Sequence, residues 1–193
     1  MNAVFVDKES LIARAKSSGD LAGEDLTGID FEGEDLSGVD FSNARLDSAR
    51  FRNATLLETR FHNASMKGAD LSGAKMNRVY LVAADLLGAN LEGAVMDDAF
   101  LSGAILGGAN FTGASLKRAS LGVVYASFPN PSGRPTSFRN ADLEAAVVGA
   151  TNFRGTDLRG ANLNGAFLYE AQLRGAIVDK KQFEKAVTRV ESY

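Results

Sequence analysis

An apolar residue recurs at every fifth position over half of this chain. The series runs through Leu21, Leu26, Phe31, Leu36, Phe41, Leu46, Phe51, Leu56, Phe61, Met66 and Leu71, and continues in step to Leu121 without one polar member. Two residues before most of these stands a small residue, usually alanine, as at Ala44, Ala49, Ala54, Ala64 and Ala69. Two residues after it stands a turn former, as at Gly23, Gly28, Gly33, Asn43 and Asn53. A period of five fits neither the 3.6 of a helix nor the 2 of a flat strand. Each unit must point two side chains inward and then turn a corner. Such a unit buries little alone and becomes stable by stacking on its neighbours.

The pattern divides the chain into five segments. Residues 1–18 break the period and are expected to form a partly helical N-terminal cap. Asp7 would start a helix over 8–17, with Leu11, Ile12 and Ala15 on its apolar side. A first repeat run covers 19–121. Residues 122–137 hold all three prolines, Pro129, Pro131 and Pro135, and are read as a loop insertion, because proline removes a ladder donor. A second run, in shifted phase, covers 138–178 from Phe138 to Val178. Residues 179–193 are expected to form a helix, with Asp179 and Gln182 in capping-box spacing, that caps the last coil or joins two chains. The loop, carrying Val123, Val124, Tyr125 and Phe128, is expected on the same side of the rod as the apolar surface described below, either folded back over it or leaving it open to a partner.

The units Ala-Asp-Leu-Ser-Gly at 69–73, Ala-Asn-Leu-Glu-Gly at 89–93 and Ala-Asn-Leu-Asn-Gly at 161–165 resemble the A(D/N)LxG unit of pentapeptide-repeat proteins. The resemblance covers about residues 19–178. It implies an all-β fold, a right-handed quadrilateral parallel β-helix with four units per coil and short helical caps. Seven such coils at a spacing of about 4.8 Å make a rod of roughly 35 Å.

Composition narrows the chemistry. The chain has no cysteine, one histidine and a net charge of −3. Disulfide frameworks, thiol chemistry and a convincing transition-metal site are therefore not expected, nor is any other cofactor. His62 follows inward Phe61 and should face solvent. The glycines are corners rather than a phosphate loop, and no nucleophile elbow appears, so an enzyme is not expected. Direct nucleic-acid binding is not expected at this charge. No apolar run is long enough to span a bilayer, and the N-terminus lacks a signal-peptide core, so a bacterial cytoplasmic location is the expectation.

Two surfaces stand out. The first is acidic: Asp20, Asp25, Asp30, Glu32, Asp35 and Asp40, with no Lys or Arg between residues 17 and 44. At twenty residues per coil, Asp25 should lie beside Arg45, Asp30 beside Arg50, Glu32 beside Arg52 and Asp40 beside Arg60. Glu24 and Glu34 occupy small inward positions at the open end and should meet Lys8, Arg14 or Lys16. The second surface is apolar. The residue before the central one is usually polar, but here it becomes Tyr80, Val95, Phe100 and Ile105, with Val82 and Leu87 nearby. Counting across the insertion, Val147 and Phe167 should continue the Tyr80–Phe100 column, flanked by Tyr169. Tyr125 and Phe128 complete the candidate protein-interaction residues. Contiguous exposed apolar patches mark partner sites more often than scattered ones do.

The reading is a non-catalytic interaction scaffold that presents an apolar face and a loop to an unidentified protein partner, or to a second copy as a homodimer. Two alternatives come from resemblance. Some pentapeptide-repeat proteins mimic DNA and bind DNA gyrase, protecting it from quinolones. Residues 11–41 are also similar to the start of repeat domains on bacterial secretion-system accessory proteins, which implies an adaptor.

Overall fold

The fold follows from one local device repeated along the chain. It is seen in a computed structural model that describes residues 8–127, 133–179, 181–184 and 186. In each unit the central apolar side chain points inward, and its carbonyl accepts the N–H three residues on, as Ala44 N–H donates to Phe41 O (3.0 Å) and Ala54 to Phe51 O (3.0 Å). The third residue of that turn has positive φ: Gly23 is at 70°, Asn43 at 61°. Positive φ at the third position alone is the type II pattern, which glycine and asparagine adopt with least strain. The glycine or asparagine that closes each unit is therefore what makes the chain turn a corner.

The outward Asp or Asn has its own task. The second turn residue has an N–H that the coil-to-coil ladder does not use. The preceding outward side chain accepts it: Asp30 Oδ1 from Glu32 N (2.9 Å), Asp40 Oδ1 from Ser42 N (2.8 Å), Asp70 Oδ1 from Ser72 N (3.0 Å), and Asn162 Oδ1 from Asn164 N (3.1 Å). Each such turn cap contributes about 0.5–1.5 kcal/mol.

The coils stack by isolated parallel bridges between residues twenty apart, such as Asp25 with Arg45 and Tyr80 with Phe100. Only the outward residue of each unit is bridged to both neighbouring coils, while the central and corner N–H groups add single coil-to-coil bonds, so regular strands do not build up. Four units per coil give four faces. Their outward columns begin at Asp20, Asp25, Asp30 and Asp35, and we number them first to fourth. Inside, like stacks on like. Phe41 and Phe61 lie 5.2 Å apart with planes 5° from parallel, and Phe111 and Phe138 lie 4.7 Å apart. The helix α1 (Lys8–Ser18) covers the first coil with Leu11 and Ala15 buried. Arg14 and Lys16 on it meet Glu24 (2.8 Å) and Glu34 (3.6 Å), as the sequence suggested. Asp7 lies outside the described residues.

The insertion is smaller than 122–137. Regular bridging continues through Tyr125, which pairs with Ile105, and Val124 and Ala126 are buried. Bridging resumes with Asn110–Ser137, 27 residues apart rather than 20, so seven residues are inserted after Ala126. Val123, Val124 and Tyr125 thus belong to the coil. The seam is closed by Thr136, buried at the small inward position before Phe138. Its hydroxyl accepts Gly108 N–H (3.0 Å) and directs its proton to Leu106 O (2.8 Å) and Ala126 O (2.5 Å). Replacing Thr136 with valine keeps the shape and strands these groups. Urea unfolding should show a loss of about 1–3 kcal/mol; an unchanged midpoint would mean that water supplies the same bonds.

At the far end, Asp179 and Gln182 close the last coil. Gly160 N–H donates to Asp179 Oδ2 (2.8 Å), Asp179 N–H to Gln182 Oε1 (2.7 Å), and Gln182 Nε2 to Leu158 O and Ala161 O. Residues 181–184 form turns rather than the expected α-helix, and 187–193 lie outside the described residues.

Candidate protein-interaction surface

The outward column of the first face reads Asp20, Asp40, Arg60, Tyr80, Phe100, Ser120, Val147, Phe167. The bridges place Val147 and Phe167 in line with Tyr80 and Phe100, with Ser120 between the two pairs. Tyr80 and Phe100 stack at 5.0 Å with rings 7° from parallel, and His62, half-buried, lies 5.7 Å from Tyr80. Phe100 is 40% exposed, and Val147 and Phe167 46% each. Val82 and Tyr169 flank the column on the turn that follows it. Glu170 beside Tyr169 pushes its phenol pKa up through a hydrogen bond and its charge. Leu87, Ile105 and Tyr125 lie around the corner on the second face. Val95 does not join them: it stands on the fourth face, bridged to Lys75 and Ser115.

Two features of this surface escaped sequence reasoning. The first is the missing turn cap. A Phe, Tyr, Val or Ile at the outward position offers no acceptor to the next turn, so Val82, Ser102, Gly107, Gly149 and Tyr169 lack the side-chain bond that Asp and Asn supply elsewhere. The second is Val123, which is exposed, stands at the third turn position beside the column and has φ 60°. A β-branched residue in the left-handed region is strained. Its signal lay in the register, which puts every such position at positive φ.

The described end of the loop does not lie over the column. That end, Arg134 and Pro135, lines a polar groove on the third face with Gly88, Asn90, Glu92, Gly108 and Asn110. The chain leaves after a second-face unit and returns on the third face, so the corner of departure sets this side. Phe128 lies outside the described residues.

The acidic end is largely paired. Arg45 meets Asp25 at 2.9 Å. Arg50 meets both Asp30 (3.2 Å) and Glu32 (2.6 Å), so Glu32 pairs with Arg50 rather than Arg52. Asp40 is bridged to Arg60 as expected, but its carboxylate turns to Ser42 rather than to the guanidinium. Desolvation opposes its charge, but the bonds from Ser42 and then the nearby charge of Arg60 hold its carboxyl below the usual range. The carboxyls of Asp25 and Asp35 are also held low, first by the hydroxyls of Thr27 and Ser37. In Asp30 the Glu32 N–H does this. Asp20 caps Ala22 N (2.9 Å). These carboxylates serve turns and ion pairs of their own fold. Among the described residues, no group of His, Asp and Glu could hold a metal ion, and no helix is long and apolar enough to cross a membrane.

Comparison with known proteins agrees with this architecture. The family description of pentapeptide repeats matches in eight copies, over residues 20–53, 44–81, 74–113, 84–122 and 136–175. No curated protein matches. Among solved structures, a trypsin-treated variant of QnrB1, a plasmid-mediated fluoroquinolone resistance protein, is 18% identical over 84% of this chain and 88% of its own, with a TM-score of 0.56. HetL of Nostoc sp. strain PCC 7120, a pentapeptide repeat protein involved in heterocyst differentiation regulation, is 26% identical over 82% of each chain, with a TM-score of 0.29. A pentapeptide repeat protein of the Arabidopsis thaliana thylakoid lumen is 38% identical over 47% of this chain and 67% of its own, with a TM-score of 0.32. The chain belongs to the pentapeptide-repeat family.

Proposed function

We propose that this member of the pentapeptide-repeat family is a non-catalytic interaction scaffold whose first face docks on a protein partner. The coil is taken as right-handed and quadrilateral, as the family implies. The observation that carries the reading is the Tyr80–Phe100–Val147–Phe167 column. It gives up turn caps worth about 0.5–1.5 kcal/mol each and leaves large apolar side chains in water. A solenoid core gains nothing from such substitutions, whereas a partner that covers them does. The gyrase-binding, DNA-mimic reading has the fold likeness to QnrB1 in its favour. The Arg45 and Arg50 ion pairs across the acidic end weigh against it.

The test is affinity capture from the native host's lysate, with wild type beside a Tyr80→Glu/Phe100→Glu variant of unchanged circular dichroism. A defined partner retained by wild type and reduced at least tenfold by the variant is the expected result. Identical capture profiles would sink the reading. A topoisomerase held through the acidic end instead would favour the DNA-mimic alternative.

A further inference from the structure

We propose that the occupant of the first face is a second copy of this chain, packed antiparallel about a two-fold axis at Ser120. The inference rests on the reading above that this face is a docking surface. What it adds comes from the order of side-chain sizes along the column. Counted in coils from Ser120, Phe100 and Val147 lie one step away on either side, and Tyr80 and Phe167 two steps. The turn column beside it is ordered in the same way about Gly122: Ser102 and Gly149 one step away, Val82 and Tyr169 two.

A two-fold axis lying in the interface, across the rod, reverses the direction of the rod and keeps each column facing its own counterpart. It sets the large Phe100 against the smaller Val147 of the other copy, and Tyr80 against Phe167. Ser120 and Gly122 meet themselves at the flat centre. Within these two columns every bulky group then faces a ring or a smaller apolar group, which is the self-complementarity an isologous contact requires. The charged residues Arg60 and Asp40 fall outside the apolar overlap. The described loop end lies on the third face, away from the contact.

The apolar column is about 19 Å long, four steps of about 4.8 Å. With the turn column beside it, a strip of that length covers at most roughly 400 Å² per copy. That lies below the interfaces of tight complexes and in the range of weak, reversible ones. Association at tens of micromolar or above is the expectation.

The chain has no cysteine, so single spin labels can be placed cleanly. Pulsed dipolar spectroscopy on Ser120→Cys and Arg60→Cys proteins at a few hundred micromolar reads the geometry directly. Labels at Ser120 should lie within about 20 Å of each other. Labels at Arg60, three coils from the axis, should be about 30 Å apart, six steps of about 4.8 Å. Both couplings should vanish in the Tyr80→Glu/Phe100→Glu background. Sedimentation velocity of unlabelled protein should show a concentration-dependent rise in mass that the same double variant abolishes. No coupling at either site together with a constant monomer mass overturns the proposal, and so does an Arg60 distance as short as that at Ser120, which would indicate a parallel pair. If the protein stays monomeric while lysate capture still depends on Tyr80 and Phe100, only the second copy is wrong. If capture fails as well, the docking surface is wrong too.

Discussion

Replacing Phe51 with alanine is expected to cost about 3–5 kcal/mol, a large part of what a domain of this size has to lose. Phe51 has no exposed surface and stands over Phe31 at 5.4 Å. It meets Phe41 and Phe61 on the first face edge-to-face, at 6.0 and 5.8 Å between ring centres. The ring therefore joins two stacks as well as two coils, and the backbone ladder around it holds the cavity open. In a solenoid each coil contacts only its neighbours, so the damage should be local. The coils from α1 to Phe61 should unfold at lower urea than those beyond, which would appear as a shallower or two-step transition. Truncating Phe100 gives the matched control. It stands at an outward position, is 40% exposed, and should cost no more than about 1 kcal/mol, chiefly the ring stack with Tyr80. Equal losses at Phe51 and Phe100 would contradict the inward and outward assignment of the whole coil.

That assignment could be read from the chain because the period leaves no freedom. Once Phe51 is inward, Arg50 is outward and Asn53 is at a corner. A step of twenty residues then places Tyr80 under Phe100, and the same counting carried Val147 and Phe167 across the insertion. The insertion's edge was harder to place. Val124 is bulkier than the usual alanine at its position, and Gly122-Val123-Val124-Tyr125 looks irregular beside the prolines. Yet Val124 packs inward and Tyr125 bridges as any unit does. The side on which the described end of the loop returns could not be read because the departing corner, after Ala126, had not been located. The choice of Arg50 over Arg52 by Glu32 depends on side-chain reach across the ladder, 2.6 Å along a diagonal, which spacing alone does not give. The missing turn caps were visible as absent Asp and Asn residues, but their meaning required knowing which N–H those residues serve.

A variant combining Val123→Gly with Val147→Asn is expected to be more stable than the natural chain and to bind worse. Val123 holds φ 60° with its side chain largely in solvent, and no core contact is lost when it becomes glycine. Relief of left-handed strain is about 1–2 kcal/mol, offset in part by the freer unfolded chain, so about 0.5–1 kcal/mol should remain. Asparagine in place of Val147 gives Gly149 N–H the acceptor that Asn152 gives Arg154 (3.2 Å) and Asn162 gives Asn164, worth about 0.5–1.5 kcal/mol. The sites are close, since Val123 N–H donates to Gly149 O (3.4 Å), so the gains need not add in full. A net gain of about 1–2 kcal/mol should raise the melting temperature by about 2–8 °C. The same two changes remove exposed apolar surface from the centre of the first face, and association through that face should weaken at least tenfold. Stability and binding moving in opposite directions is what a surface kept for a partner predicts. If melting instead falls by more than about 1 kcal/mol equivalent, these side chains are holding the coil together, and their exposure no longer argues for a partner.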